Sequence, residues 1–479
     1  MHEWTRQVKS GSLLSWQVTK DWLKLMKKFR PPCPFPTTHR AGEVVSDQLL
    51  LYRGCRKKRL HYSVERTDEH TGKKVKVESC TVMNMQVYPI DFTKYSNFDA
   101  HCDEIEKNGL WTEPADDVLD WFDLDKVEQL QHDNFEHQMG MVFGNDNLVS
   151  FNVDSIEAVY ILEQRPNYSP PGGKTVVETI APLLHCDTNN HQGINKHTNY
   201  ILYELFPDAS FVISRGDGQY VGNIGTNLQV RPERHERLVV LPESMHAEGH
   251  IAIYAVIIVW FSAFLRPIVD ELEFEKILEH PTDFEGVRLD NYKYFLIALT
   301  LACSHQLIKR KGRLCLHSKM MEASCLGNVG ELIMYQFLKQ GGFWALKWQQ
   351  AIRGNKGRSL DECWLGSWFM GRAAHKTNYN GYAIQRAHSC LCSHPLIRSI
   401  IQQGQTQSTK GNIGANTAKD DRLEYLNLGC QQYNKAPERA VSDATFYCEH
   451  FDELDHIRRR QDEMLDMESE SLFGQRKGN

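Results

Sequence analysis

The fold is decided by two short runs, Ser210-Phe-Val-Ile-Ser214-Arg215-Gly216-Asp217-Gly218-Gln219 and, after a loop, Arg237-Leu-Val-Val-Leu-Pro242. Both runs are apolar, rich in β-branched residues and bounded by glycine or proline, which is typical of buried strands. Open α/β sheets carry their functional groups at the carboxyl ends of such strands. Asp217 follows the first run, and Glu243, His246 and Glu248 follow the second. We therefore predict a functional site at this edge of the sheet.

Composition sets wide limits on the fold. The chain of 479 residues is 41% hydrophobic and 24% charged, enough for a large core in two or three domains, or in one domain with insertions. A net charge of −6 argues against a surface covered with nucleic-acid-binding groups but allows a local basic groove. Thirteen cysteines lack the spacing of a disulfide framework, and the chain does not open with the apolar segment of a signal peptide. We expect an intracellular protein with most thiols free.

The membrane is not an expected partner. The longest apolar run, residues 251–265, is 15 residues long. A membrane-spanning helix needs about 20 apolar residues. We therefore predict that this segment is a buried helix.

Hydrophobic periodicity divides the chain into regions. Alternation over 42–52, 60–64 and 74–88 predicts a meander of three antiparallel strands, and helical spacing predicts helices at 1–30, 99–137 and 195–206. After residue 265 the pattern stays helical for about 150 residues. We predict an N-terminal helical segment (1–40), the first part of an α/β core (41–264), an all-helical insertion (265–415), a closing helix of the core (416–450) and a charged tail (451–479).

Three carboxylates occupy positions where a buried acid needs a partner. Asp47 lies within the first predicted strand, Asp217 ends a strand, and Glu424 lies in an apolar helical run. Each also has a purely structural interpretation. Asp47 could point outward on an edge strand, Asp217 could shape a Gly-Asp-Gly turn, and Glu424 could pair with Arg422 or Lys435.

The order of the predicted elements resembles that of an RNase H-like nuclease core, a mixed sheet with a helical insertion before its last helix. In that fold one acid lies on the first strand, one follows the fourth strand and one lies on the last helix. The resemblance implies that Asp47, Asp217 and Glu424 are catalytic and hold Mg²⁺ or Mn²⁺, with Asp91 as the rival for the first position. Such ions activate a water or a 3′-hydroxyl and stabilise the leaving oxygen. An all-oxygen site suits these metals, and we expect no zinc.

Short motifs make the resemblance more specific. Gly216-Asp217 resembles the Gly-Asp-Gln motif of an uncharacterised domain family in eukaryotic mobile-element open reading frames, although Gly218 intervenes before the glutamine. That family has an Asp-x-His after the next strand and a closing motif like Leu-Glu-His-Leu-Asn; this chain has Leu241-Pro-Glu-Ser-Met-His246 and Leu423-Glu424-Tyr-Leu-Asn427. The arrangement is also similar to hAT-type DDE transposases, whose Cys/Asp-x-x-His motif appears here as Glu243-x-x-His246. Glu243, His246 and Glu248 would support the three acids.

The resemblance implies a transposase-like or transposon-derived nuclear protein that cleaves and transfers DNA strands, or an inactive copy of one. DNA and a second copy of the chain are the expected partners. The alternative is a non-catalytic protein- or DNA-interaction protein that keeps the fold, with its acids paired to basic side chains. Basic residues form two candidate sets of phosphate contacts: Arg53, Arg56, Lys57, Lys58 and Arg59 in the first turn, and Lys309, Arg310, Lys311 and Arg313 in the helical region.

Cys390-x-Cys392-x-His394 invites comparison with zinc sites. It lacks the two-residue gap and the second half that such sites need, so we predict buried thiols there instead.

Overall fold

The computed structural model describes residues 36–53, 65–67, 74–76, 79–112, 122–143, 179–180, 184, 186, 188–230, 236–249, 251, 255, 289–373, 377–408, 414, 416–421, 423–424 and 426–427. Several predictions made from the sequence lie outside these residues: the helix at 1–30, the strand at 60–64, the phosphate contacts Arg56, Lys57, Lys58 and Arg59, and the charged tail.

The described strands form a mixed central sheet and two small ribbons. The sheet has the order β5-β4-β1-β6-β7, with β1 antiparallel to β4 and parallel to β6, and β6 parallel to β7. The remaining strands pair as β2 with β3 and as β8 with β9. The strands are β1 (Ala41–Arg53), β2 (Glu65–Thr67), β3 (Lys74–Lys76), β4 (Ser79–Tyr88), β5 (Thr179–Ile180), β6 (Phe211–Gly216), β7 (Leu238–Pro242), β8 (Thr406–Gln407) and β9 (Thr417–Ala418).

The strands predicted at 42–52, 210–214 and 237–242 are confirmed as β1, β6 and β7. The predicted meander is wrong in its pairing. The segment 74–88 is divided between β3 and β4, and only β4 joins β1, while β3 pairs with β2 in a separate ribbon. The sequences of β2 and β3, Glu65-Arg-Thr67 and Lys74-Val-Lys76, are almost wholly polar, so they have no apolar face to place against a core.

Some helices cover the two faces of the sheet, and the later helices form a second core. Helical structure is confirmed within the regions predicted at 99–137 and 195–206 and through most of 289–403. The helices are α1 (Phe98–Asn108), α2 (Leu124–Phe143), α3 (His191–Asn199), α4 (Gly218–Val230), α5 (Leu289–Lys311), α6 (Ser318–Cys325), α7 (Val329–Phe337), α8 (Phe343–Arg353), α9 (Gly357–Ala373), α10 (Thr377–Cys392) and α11 (Pro395–Gln403), with 3-10 turns at Phe92–Lys94 and Gly312–Leu316 and π-helical turns at Tyr200–Leu205 and Leu338–Gly342.

The two faces of the sheet bury different helices. On one face Val44, Val212 and Val240 pack with residues of α3 and α4, including Ile194 and Val221. The other face is covered by α1 and α11. Its core contains Ile213, Val239 and Leu241 from the strands and Phe98, Ile105, Ile397 and Ile401 from the helices. The fold is therefore a mixed α/β structure, as predicted.

The later helices share a large core of their own. Phe135 and Met139 of α2 pack with residues of α5, α7 and α8. Trp344, Trp348 and Trp364 are almost fully buried in a neighbouring core that includes Ala247, from the helical residues 244–249 that follow β7. Within the described residues, no helix has the length and apolar character needed to cross a bilayer.

Candidate functional site

The parallel register brings the carboxyl ends of three strands together. Ser46 of β1 pairs with Gly216 of β6, and Gly216 pairs with Pro242 of β7. The next residues along these strands are Asp47, Asp217 and Glu243. The backbone N–H of Glu243 donates to the carbonyl of Gly216 at 2.9 Å, so the alignment continues past the last pair. Strand pairing alone therefore places Asp47 beside Asp217.

Asp217 is fixed by the turn from β6 into α4. Its Oδ1 accepts the backbone N–H of Tyr220 at 2.6 Å, which satisfies an amide in the first turn of the helix. Gly216 is required here because a Cβ would lie 2.9 Å from the carbonyl oxygen of Ser46. Gly218, the residue that departs from the family motif, leaves room for α10: a Cβ there would lie 2.8 Å from Cζ of Tyr382.

Asp47 is bonded to its own strand and to the closing helix (helical residues 419–421, 423–424 and 426–427). Its Oδ1 accepts the N–H of Gln48 at 2.8 Å, and its Oδ2 accepts Nδ2 of Asn427 at 2.5 Å. Asn84 of β4 donates to Oδ1 of Asn427 at 2.8 Å. Burial raises the pKa of Asp47 well above its usual value, and the charges of Glu424 and Asp217 raise it further. The charge of Glu424, 377 positions away by number, therefore acts on Asp47.

His246 bridges two acids of the closing helix. Its Nδ1 lies 3.3 Å from Oδ2 of Asp420, and its Nε2 lies 3.6 Å from Oε1 of Glu424. Burial lowers the pKa of His246, but the hydrogen bond to Asp420 and the charges of Asp420, Glu424 and Asp217 raise it to about 9. Burial raises the pKa of Glu424, as do Asp420 and Asp217, against the effect of His246. His246 is therefore a cation at neutral pH in a predominantly acidic site.

The site is open to solvent. The side chain of His246 is 33% exposed and that of Glu424 is 42% exposed, so a ligand can reach both.

The carboxylate of Glu243 contacts a buried arginine, Arg215, rather than Asp47, Asp217 or Glu424. It is 3% exposed, and its Oε1 lies 3.5 Å from Nη1 of Arg215. Nε of Arg215 donates to Oε1 of Glu43 at 2.6 Å, and Nζ of Lys419 donates to the same oxygen at 2.6 Å. Burial raises the pKa of Glu243 to about 7 in spite of Arg215. Glu43, Arg215, Glu243 and Lys419 are hereafter called the buried ion cluster.

The remaining predicted residues lie elsewhere. Glu248 is buried beside Leu296 and Leu346 of the helical core, and the structure does not bring it to the acids. Asp91 begins the 3-10 turn and accepts the hydroxyl of Thr93 at 2.6 Å. Of the two candidates for the first acid, Asp47 is therefore the one that lies beside Asp217.

The described basic residues are partly neutralised. Lys311 and Arg310 lie 2.7 Å and 3.4 Å from the carboxylate of Glu331. Lys309 and Arg313 are exposed, and Arg53 ends β1.

Among the described residues, two clusters of acidic and histidine side chains could hold a metal ion, each with its ligand atoms within 4.8 Å of one another. In the cluster of Glu128, His132 and Glu322, Lys339 already supplies a positive charge, because its Nζ lies 3.5 Å from Glu322 and 3.2 Å from His132. Asp47, Asp217 and Glu424 form no such cluster, because their carboxylate oxygens do not all lie within 4.8 Å of one another in this structure. The clusters are His101, Glu104 and His394, and Glu128, His132 and Glu322.

His394 is engaged at both ring nitrogens. Its Nδ1 accepts the backbone N–H of Leu396 at 3.2 Å, which caps α11. A neutral ring therefore carries its proton on Nε2, which lies 3.2 Å from Glu104. A metal at this cluster has to displace that proton. Cys390 and Cys392 are buried free thiols, as predicted.

Sequence reasoning missed Asp420 as a site residue and did not assign a role to Asn427. Asp420, Glu424 and Asn427 are spaced at i, i+4 and i+7, which places them on one face of a helix. That spacing was a usable signal, because Asn427 already belonged to the motif that contains Glu424.

No protein-family model, curated protein or solved structure matches the chain. The structure itself defines a mixed α/β protein with a cluster of acids and one histidine at the carboxyl edge of its sheet.

Proposed function

We propose that the protein has an RNase H-like core and cleaves or joins DNA strands with divalent cations held by Asp47, Asp217 and Glu424. The observation that carries the proposal is that Asp47 and Asp217 follow paired residues of β1 and β6, and that the charges of Asp217 and of Glu424, on the closing helix, act on Asp47. The sheet order supports it too. Counted along the chain, the strands of the central sheet stand in the order third, second, first, fourth, fifth, as in that fold.

The donor set fits Mg²⁺ or Mn²⁺. These ions prefer carboxylate oxygens and water. The charges that raise the pKa of Asp47 come from two other acids, and a cation among them would reverse that effect. Among the described residues, no lysine or arginine forms an ion pair with Asp47, Asp217 or Glu424. In the described part of the chain, His246 is the basic side chain that contacts Glu424.

Each side chain has a distinct task in this proposal. Divalent cations, when bound, supply the acidity that activates a water or a 3′-hydroxyl. Asp47 and Asp217 project from paired strands, so their separation is fixed by the sheet. Asn427 orients Asp47 through its hydrogen bond. His246 holds Asp420 and Glu424 and offsets negative charge where the phosphate backbone must approach.

The direct test is nicking of supercoiled DNA in Mg²⁺ or Mn²⁺. We expect Asp217→Asn to lower the rate by roughly 100-fold or more, because it removes a charged ligand from the site. Asp91→Asn is the matched control: the same change at the rival acid should leave nicking unchanged. An Asp217→Asn protein that nicks DNA at the wild-type rate would remove Asp217 from the mechanism.

The pairing of His246 with Asp420 and Glu424 favours a second candidate, a non-catalytic protein that keeps this fold. In such a protein the histidine neutralises the acids permanently. Titration of wild type with Mn²⁺ separates the two. Saturable binding that is lost in Asp217→Asn supports the enzyme, and no binding supports the interaction protein.

A further inference from the structure

We infer that Lys419 is a positioning residue: its contact with Glu43 in the buried ion cluster seats the closing helix on β1, so that Glu424 is held over Asp47 and Asp217. The contribution of this helix position to catalysis rests on the proposed function, whereas the position of the helix on β1 does not.

Lys419 begins the described part of the closing helix and is buried against the sheet. Its side chain is 3% exposed, its Nζ donates to Oε1 of Glu43 at 2.6 Å, and it lies 4.3 Å from the ring centroid of Tyr88. Glu43 and Tyr88 are register partners on β1 and β4. One ammonium group therefore contacts two strands at once.

The other end of the same helix is also tied to β1. Asn427 donates to Asp47 and accepts from Asn84, and these two residues are again register partners on β1 and β4. The helix thus makes the same kind of attachment twice, each time across one β1–β4 pair.

The two attachments have matching lengths. From Lys419 to Asn427 is eight residues, a rise of about 12 Å in an α-helix. From Glu43 to Asp47 is four residues, a rise of about 13 Å in a strand. The helix therefore runs along β1, and Glu424 lies between its two fixed points.

The cluster also specifies which position the helix takes. A buried ammonium group is costly without a carboxylate partner. A shift of the helix by one residue would remove Lys419 from Glu43 and would leave Arg215 and Glu43 in altered surroundings. The same cluster contacts both acid-bearing strands, because Arg215 lies two residues before Asp217 and Glu43 four residues before Asp47.

Lys419→Met tests the inference, and Lys339→Met is its matched control. Lys339 is also 3% exposed and lies in an ion network with Glu322 and Glu128, in the helical core. Both variants remove a buried lysine charge. Each full-length protein is studied by hydrogen–deuterium exchange with mass spectrometry. The temperature is set the same number of degrees below the thermal unfolding midpoint of that protein.

We expect Lys419→Met to speed exchange in the peptide covering 416–427 by about tenfold or more, and Lys339→Met to leave that peptide unchanged. We also expect Lys419→Met to lower kcat for nicking about tenfold with KM for DNA unchanged. Equal exchange of 416–427 in wild type and Lys419→Met would overturn the inference, as would an equal effect of Lys339→Met.

A second variant covers the case in which Lys419→Met does not fold. Glu43→Gln with Lys419→Met removes both charges and leaves Arg215 with Glu243. It should show the same fast exchange at 416–427, and protected exchange there would overturn the inference. Exchange needs neither metal nor activity. A wild-type protein that does not nick DNA would therefore refute the proposed function. Unchanged exchange of residues 416–427 in the Lys419 variants would instead refute the role of Lys419 in positioning the helix.

Discussion

The surroundings of Asp47 disfavour its deprotonated, charged form. Burial and the neighbouring Glu424 and Asp217 raise its pKa, so the folded protein binds this proton more tightly than the unfolded chain does. The stabilisation from that proton is present at low pH and is lost as the pH rises through the raised pKa of the folded state. Cations that bind the deprotonated site would restore stability at high pH.

We therefore expect the stability of wild type, measured in a chelator, to fall relative to that of Asp47→Asn as the pH rises from about 4, the usual pKa of an aspartate in an unfolded chain, to 8. The variant has no ionising group at this position, so it lacks this part of the pH dependence. Urea unfolding at several pH values measures the difference. A constant difference across that range would contradict the raised pKa of Asp47.

His197 has the opposite pH dependence. It is fully buried on α3 with Nε2 3.2 Å from the hydroxyl of Ser46, and burial lowers its pKa to about 3. The unfolded chain takes up this proton near pH 6.5 and the folded protein does not, so stability is present above 6.5 and is lost as the pH falls below it.

Replacing His197 with glutamine should remove that loss. The slope for one such group is about 1.4 kcal/mol per pH unit, so between pH 7 and pH 5 wild type should lose about 2 kcal/mol relative to His197→Gln. Denaturant unfolding at both pH values checks it. Parallel losses in the two proteins would show that His197 is protonated in the folded state.

At the scale of elements, the turn from β6 into α4 depends on one close approach of backbones. A Cβ on Gly216 would press against the carbonyl of Ser46, whereas a Cβ on Gly222, inside α4, would find its nearest atom 3.5 Å away. Gly216→Ala should therefore destabilise the protein by about 1–3 kcal/mol through overpacking. Gly222→Ala should stabilise it by up to about 1 kcal/mol through helix propensity. Thermal unfolding of the two variants compares them, and a Gly216→Ala protein as stable as wild type would refute the tight turn.

Local signals explain which elements the sequence predicted. β6 and β7 were predicted well, because their β-branched runs are buried on both faces. β3 falls within the strand predicted at 74–88, but β2 and its pairing with β3 were missed, because the short polar segment Glu65–Thr67 has no periodicity to detect. The roles of Asp420, Asn427 and Lys419 depend on partners 174 to 380 positions away, and local propensity says nothing about such pairs. The spacing of Asp420, Glu424 and Asn427 indicated a face, but not what that face meets.

At the scale of the whole molecule, net negative charge limits how the proposed binding of DNA can occur. With a net charge of −6, that binding should depend on a few exposed cations and weaken with salt in proportion to their number. Lys309 and Arg313 are exposed at the end of α5, while Lys311 and Arg310 are already engaged by Glu331.

We expect Lys309→Ala with Arg313→Ala to reduce the slope of log K against log salt by about 1.8, which is two phosphate contacts. Arg358→Ala is the control, because Arg358 is 93% exposed on α9 and should leave the slope unchanged. Fluorescence anisotropy with duplex DNA over a salt series measures the slopes. An equal slope for wild type and the double variant would exclude this end of α5 from the DNA surface.

Each of the eight cysteines whose side chains the structure describes is buried. Burial raises the pKa of Cys303 and of Cys390 to about 12, so these thiols stay protonated and unreactive at neutral pH. The sulfurs lie in both the sheet core and the helical core. A thiol-alkylating reagent added to the native protein would consequently modify them only as each core opens, and the order in which they are modified would show which half of the molecule unfolds first.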